Sequence, residues 1–370
     1  MILVSHPPHR FSRFDRAVWL TLLAAVVAVA GMLWQSGNWA LGDPPNGILY
    51  IAWDEAGRNR LFLLDPETDD LPLALTDETA DVADFAVSPD GQTVVYTRRR
   101  ADGLGDLWLV GTNGRLSRPL LICDDALCSQ PRWSPDGQRL VYERRTVATP
   151  GAPPGSPRLW WVDVATGSTT AVFSDSQWLG WGAAFSPNGR WLSYVSPNAQ
   201  EVQAYNLETG QTIRIPSRSG EPGVWDTQGD TLFVTDILLD GEQFALHLFA
   251  VELAAETAVD LSGAAAEVND SLPTVSPDSR WIAITRKVPR SPDGKQIWLL
   301  PRAGGEPINL TNRPEVHFGV AGWSKNGRYL TFQGYELARP GAEPTVWLYD
   351  TATRELRSLI TPGTQPAWVP

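Results

Sequence analysis

Few side chains in this chain are suited to chemistry, and their spacing points to little of it. Four histidines and two cysteines are too few for a metal cluster. His247 and His317 stand far apart and read as core and surface residues rather than ligands. Cys123 and Cys128, in CDDALC, have no histidine or third cysteine beside them to complete a metal site. A short disulfide across a surface loop suits the pair in an oxidising compartment, and two unpaired thiols are the alternative. Asp84, Glu221 and Asp270 precede apolar segments and are the carboxylates that could ring a channel mouth. No nucleophile elbow, phosphate loop or metal-ligand spacing is present, so no catalytic residue, cofactor or metal is assigned.

Charge is the stronger signal. The net charge of −12 argues against a nucleic-acid partner, which would leave a basic footprint. Yet Arg98, Arg99, Arg100, Arg144, Arg145, Arg286, Lys287, Arg290 and Lys295 gather nine of the 30 basic residues into three short stretches. Together they would make a locally positive surface for an anionic glycan, a lipid headgroup or an acidic protein segment. The plainer reading is that they cap exposed strand ends.

The elements that position these residues are repeated ones. An apolar residue, then Ser-Pro-Asp-Gly or a decayed form, then an apolar strand recurs as VSPDG (Val87–Gly91), WSPDG (Trp133–Gly137) and FSPNG (Phe185–Gly189). Decayed copies are WDTQG (Trp225–Gly229), VSPDS (Val275–Ser279) and WSKNG (Trp323–Gly327). From Ser88 through Ser134, Ser186, Asp226 and Ser276 to Ser324 the spacing is 40 to 52 residues, the length of one four-stranded propeller blade. Proline presets φ, aspartate suits the next position, and glycine closes the hairpin in the left-handed region. The phrase is therefore a turn between the first and second strands of a blade, and its aspartates are structural. Ser291–Gly294 also reads SPDG but falls only 15 residues after Ser276, between the second and third strands of its blade.

The other strands keep step. Second strands end on Tyr96, Tyr142, Tyr194, Val234, Ile284 and Phe332. Third strands carry Trp108, Trp160, Phe249, Trp298 and Trp347, with Gln203 breaking the series. An unmarked first unit, with Tyr50 and Phe62 in those two slots, lacks a first strand. The terminal segment around Trp368 matches the start of a unit and would supply it. The fold expected is all-β: a seven-bladed propeller over 48–370, closed by the C-terminal strand, with six blades the minority alternative. Gly and Pro, 62 of the residues together, are hostile to long helices in such a body.

Residues 17–34 are the exception, 18 residues without a charge. Arg10, Arg13 and Arg16 precede them and no basic residue follows until Arg58, so the positive-inside bias keeps residues 1–16 in the cytoplasm and exports the rest. A signal-anchor helix, a linker over 35–47 and an extracytoplasmic propeller result. Cleavage near Ala30, which would release the propeller, is the competing reading.

The repeat resembles that of the TolB-like propellers, extracytoplasmic proteins whose SPDG-bearing units are related to WD repeats. The resemblance covers residues 48–370 and implies the fold, not an activity. Two departures stand out: the family's namesake carries a small α/β domain ahead of six blades, whereas only a linker and seven units are read here. Similar repeats occur in prolyl-oligopeptidase-like peptidases, which add a hydrolase domain, and in pectate-fragment lyases with a histidine-based metal centre. The function expected is non-catalytic binding of an envelope protein or an anionic envelope component by a monomeric, membrane-tethered propeller. The alternative is a hydrolase or lyase acting on carbohydrate through channel-mouth carboxylates. Asn269-Asp270-Ser271 and Asn309-Leu310-Thr311 match glycosylation sequons.

Overall fold

A computed structural model describes residues 47–370 except 150, 176, 241–242, 264–266 and 340. The cytoplasmic segment, the helix expected over 17–34 and nearly all of the linker lie outside the described residues. Among the described residues no helix is long and apolar enough to cross a membrane.

The described residues form strands in successive groups of four. The first group holds β1 (Ile48–Trp53), β2 (Asn59–Leu64) and β3 (Leu73–Ala74). The second holds β4 (Val82–Val87), β5 (Thr93–Arg99), β6 (Gly105–Gly111) and β7 (Arg118–Leu121). The third holds β8 (Ala126–Trp133), β9 (Arg139–Thr146), β10 (Arg158–Asp163) and β11 (Thr169–Ala171). The fourth holds β12 (Trp181–Phe185), β13 (Trp191–Ser196), β14 (Glu201–Asn206) and β15 (Thr212–Pro216). The fifth holds β16 (Val224–Trp225), β17 (Thr231–Asp240), β18 (Gln243–Glu252) and β19 (Thr257–Asp260). The sixth holds β20 (Asn269–Val275), β21 (Trp281–Lys287), β22 (Gln296–Pro301) and β23 (Ile308–Asn309). The seventh holds β24 (Val316–Trp323), β25 (Tyr329–Glu336), β26 (Thr345–Asp350) and β27 (Glu355–Ile360). The last strand, β28 (Thr364–Trp368), returns to the first group, whose order is β28-β1-β2-β3, with Ile48 opposite Trp368.

The recurring turn explains where the first strand of a group ends. In Ser134-Pro135-Asp136-Gly137 the serine hydroxyl donates to Asp136 at 2.5 Å and accepts the Arg139 N–H at 3.1 Å. The Ser88 and Ser276 turns repeat this bonding, with Asp90 and Asp278. Gly137 takes φ 70°, a conformation that costs a side-chain-bearing residue. The two aromatic slots are cross-strand neighbours. Tyr50 faces Phe62, Tyr96 faces Trp108, Tyr142 faces Trp160, Ile284 faces Trp298 and Phe332 faces Trp347. Gln203, the exception, faces Tyr194 and accepts its hydroxyl proton at 2.6 Å. A polar pair thus replaces an aromatic contact without leaving either group unsatisfied.

The core is divided among the seams. Each of seven apolar clusters joins one group to the next; the one holding Ile48, Tyr50, Val346 and Trp368 joins the seventh to the first. Trp368 stacks on Tyr329 at 5.9 Å in that last seam. A sheet face buries its apolar side chains only against a neighbour, so the groups depend on one another for stability.

The hairpin of β17 and β18 runs on past the core, because Ile237–Leu239 and Phe244–Leu246 are strand-forming runs that go on pairing there. Its Leu239 and Phe244 face one another and stay 67% and 61% exposed. The basic stretches also lie further in than read. Arg98 and Arg99 end β5, Arg144 and Arg145 lie in β9, and Arg286 and Lys287 end β21, because these hairpins run on past the apolar slots.

Candidate functional site

The ends of β5, β9, β21 and β25 share one side of the molecule with the leading ends of the inner strands β4, β8, β12, β20, β24 and β28. Consecutive inner strands pack on one another, so residues from separate groups meet there. The position three residues before the last aromatic or apolar residue of each inner strand is special. It is filled by Asp84, Gln130, Gly182, Leu272, Val320 and Gln365. Gln130, Gly182, Leu272, Val320 and Gln365 all take positive φ, between 43° and 61°, at a break in the β-ladder. Such bulges re-aim side chains and turn backbone N–H groups out of the ladder. Val320 in the left-handed region is strained, since its branched Cβ crowds the backbone.

The released N–H groups are received by the preceding groups. Gln130 N–H donates to Asp84 at 3.2 Å and Gly182 N–H to Glu143 at 2.9 Å. Leu272 N–H donates to Glu221 at 3.3 Å and Gln365 N–H to the side-chain carbonyl of Gln333 at 2.9 Å. Asp84 also accepts from Thr97 Oγ1 at 2.6 Å, and Glu221 from Thr235 Oγ1 at 3.1 Å. Burial pushes the Asp84 carboxyl above its ordinary range, against the pull of these donors. Burial likewise raises Glu221, with Lys295 pulling it back. Burial opposes the charge on Arg132, which Asp84 and Glu143 sustain.

Asp270, the third carboxylate singled out by sequence, lies inside the protein. It forms a bidentate pair with Arg286 at 2.6 and 2.7 Å and accepts the Ser262 hydroxyl at 2.5 Å. Arg286 is 6% exposed and sits over the Trp298 ring. The other basic residues are distributed as follows. Arg98 bonds Thr79 and lies over Trp108. Arg100 pairs with Asp102 and Asp106, Arg144 with Asp125, and Arg145 with Glu143. Lys287 is held by the carbonyls of Ser291 and Asp293, and Lys295 donates to Ser271 Oγ at 3.1 Å. Arg99 and Arg290 lie in the same stretches, both exposed. Much of the positive charge is therefore compensated locally.

Lys295 and His317 are brought together by the second SPDG phrase. Gly294 N–H donates to Pro314 O at 2.8 Å, and Phe318 N–H donates to Lys295 O at 2.9 Å. A Cβ at Gly294 would lie 2.2 Å from Val316 O, so only glycine allows this approach. Gln296 bonds the carbonyls of Arg313 and Val316 and accepts the Arg313 N–H. His317 stacks on Tyr335 at 5.0 Å. Burial first, then repulsion from Lys295 and Lys287, lowers the His317 pKa. The phrase is a loop turn between the second and third strands, as its position predicts, but its spacing carries no hint that it joins two groups.

His247 is buried, with Nδ1 2.9 Å from Asp260. Cys123 and Cys128 form a disulfide with Cα atoms 6.4 Å apart. Both sequon asparagines serve the backbone: Asn269 accepts the Leu246 N–H, and Asn309 accepts those of Thr311 and Asn312. Among the described residues no group of three or more His, Cys, Asp or Glu is placed to hold a metal ion.

No family model matches the chain, and no curated protein matches its sequence. Solved structures do match in fold. TolB from Acinetobacter baumannii is 18% identical over 87% of this chain and 82% of that one, with a TM-score of 0.53. Oligogalacturonate lyase from Vibrio parahaemolyticus is 12% identical over 85% and 86%, with a TM-score of 0.58. A puromycin-hydrolyzing peptidase from Mycobacterium tuberculosis reaches a TM-score of 0.62 at 15% identity over 86% of this chain, which spans only 54% of the peptidase. The chain has a TolB-like β-propeller fold, one shared by TolB, a lyase and a peptidase.

Proposed function

We propose that the chain is a closed, seven-bladed propeller, tethered outside the cytoplasm by a helix over residues 17–34, that binds an acidic segment of another envelope protein. Catalysis is not part of this reading, and the propeller acts as a monomer. The observation that carries it is the use of the carboxylates at the inner-strand ends. Asp84, Glu143 and Glu221 each accept a backbone N–H from a following group, so their lone pairs are committed to holding strands in place. The Cys123–Cys128 disulfide supports an oxidising compartment. The basic strand ends then supply the long-range attraction, and the exposed Leu239 and Phe244 hairpin supplies apolar contact.

Affinity capture from detergent-solubilised envelope tests this reading. The full chain should retain a partner that the variant with Arg98, Arg99, Arg100, Arg144 and Arg145 changed to serine loses. Equal capture by both removes the basic strand ends from the binding face. One observation favours the alternative of a carbohydrate hydrolase or lyase: the raised pKa of Glu221 beside Lys295. Turnover of an acidic oligosaccharide that disappears in Glu221→Gln would decide for that alternative.

A further inference from the structure

A cavity of about 910 Å³ opens at the seam between the sixth and seventh groups, on the side of the recurring turns. Its origin lies in one repeated position. Just after each third strand, one residue donates its N–H to the carbonyl that precedes the second strand. Val164 bonds Gln138, Leu207 bonds Arg190, Leu253 bonds Asp230, Arg302 bonds Arg280, and Thr351 bonds Arg328. Val164, Leu207 and Leu253 pack into the apolar cluster shared with the preceding group. Arg302 reaches back to Asp226 and Thr231 and covers Phe233. Thr112, the small residue of the second group, is buried and spends its hydroxyl on Gly91 O at 3.1 Å. Thr351 likewise spends its hydroxyl on Arg328 O at 2.8 Å, and it lines the cavity where the longer residues of other groups fill their seams.

The walls are chemically mixed. Trp281, Leu310 and Tyr349 form an apolar side, and Arg280, Arg328 and Arg354 bring three guanidinium groups. Arg280 pairs with Asp278 at 2.6 Å and Arg328 with Asp350 at 2.9 Å. Arg354, held in a turn at φ 61°, makes no side-chain hydrogen bond or ion pair among the described residues. Two of the three arginines are thus answered by carboxylates, and Arg354 leaves one positive charge over, in a protein of net charge −12. A neutral ligand would leave the Arg354 charge unused, and a bare inorganic anion would leave the aromatic wall unused.

We infer that this cavity binds an organic anion with a ring body. The oxyanion meets Arg354 and Arg280, and the ring lies on the wall of Trp281 and Tyr349. The inference does not depend on the binding face proposed above, which lies at the other ends of the inner strands.

Calorimetric titration of the full chain with naphthalene-1-sulfonate tests it. Naphthalene-1-sulfonamide serves as the neutral ring and inorganic sulfate as the ringless anion. The sulfonate should bind at least about tenfold more tightly than either, as loss of one charge-assisted contact or of the stacking surface implies. Arg354→Ala should weaken the sulfonate about tenfold, and Arg190→Ala, at an exposed pair with Asp230 outside the cavity, should leave it unchanged. Thr351→Leu should abolish binding in a chain that stays folded, because leucine fills the seam as Leu207 and Leu253 do elsewhere, which offsets the lost bond to Arg328 O. Equal affinity for the sulfonate and the sulfonamide overturns the anion assignment. Sulfate binding as tightly as the sulfonate overturns the ring assignment. Undiminished binding by a well-folded Thr351→Leu places the ligand elsewhere and sinks the proposal.

Discussion

At the scale of single residues, the outcome turns on which charges are buried and which are answered. Asp270 and Arg286 looked alike to sequence reading as candidate site residues, yet each is the other's buried partner. Removing one member leaves an uncompensated charge in the interior. Asp270→Ala should therefore cost about 3–5 kcal/mol in denaturant unfolding, while Asp270→Leu with Arg286→Met should recover most of it. A double variant as unstable as the single one would contradict that account. His317 behaves differently because its neighbours repel its charge. Its folded pKa lies below the unfolded value, so the stability it contributes is present above the unfolded pKa and lost as pH falls toward the folded one. Lys295→Met removes one source of repulsion, and the His317 titration followed by NMR should move upward. An unchanged midpoint would leave burial and Lys287 as the causes. None of this was legible beforehand, because a pairing between residues 16 positions apart leaves no mark on composition.

Among the elements, the turn phrase was the most legible feature, because its residue types answer local demands that act within a few bonds. Serine bonds both the aspartate and the strand beyond, so Ser276→Ala should cost about 1 kcal/mol. The same change has a pH signature. The Ser276 hydroxyl, followed by bonds from Arg280, lowers Asp278 from its ordinary 3.8 to about 2. A depressed carboxyl stabilises the fold above the unfolded pKa and loses that contribution as pH falls between those two values. Unfolding of Ser276→Ala should show a weaker acid-side decline than the wild type across that interval, and parallel curves would assign Asp278 no such part. The slots Tyr50–Phe62 through Phe332–Trp347 were legible for a related reason, since cross-strand neighbours recur at fixed distance from the turn. The bulges were not. Gln130, Leu272, Val320 and Gln365 share a conformation without sharing a residue type, so no pattern announced them. The length of the β17–β18 hairpin is not legible either, because Asp236 and Asp240 are loop-favouring residues, which the pairing of the intervening aliphatic run overrides.

Over the whole molecule, the distant pairing of β28 with β1 is the feature on which most depends. Tyr329 O–H donates to Glu67 at 3.0 Å and Arg357 to Pro66 O at 2.6 Å, so the seventh group is bonded to the first by side chains as well. Deleting Gly363–Pro370 would bare the edge of β1 and the cluster around Ile48 and Tyr50. The truncated chain should lose cooperative thermal unfolding and run as oligomers in size-exclusion chromatography. A monomer with the wild-type midpoint would show that the seam contributes nothing. The match between the C-terminal segment and the starts of other units made this partner readable, because the missing strand of the first unit had to come from somewhere. This pairing also bears on how the chain is made. A ribosome or export channel releases residues in order, and β1 emerges more than three hundred residues before the strand that covers its edge. Until then every nascent chain carries an unfinished sheet, open to capture by chaperones or proteases. The order of synthesis therefore leaves this edge of β1 bare until β28 has emerged to cover it.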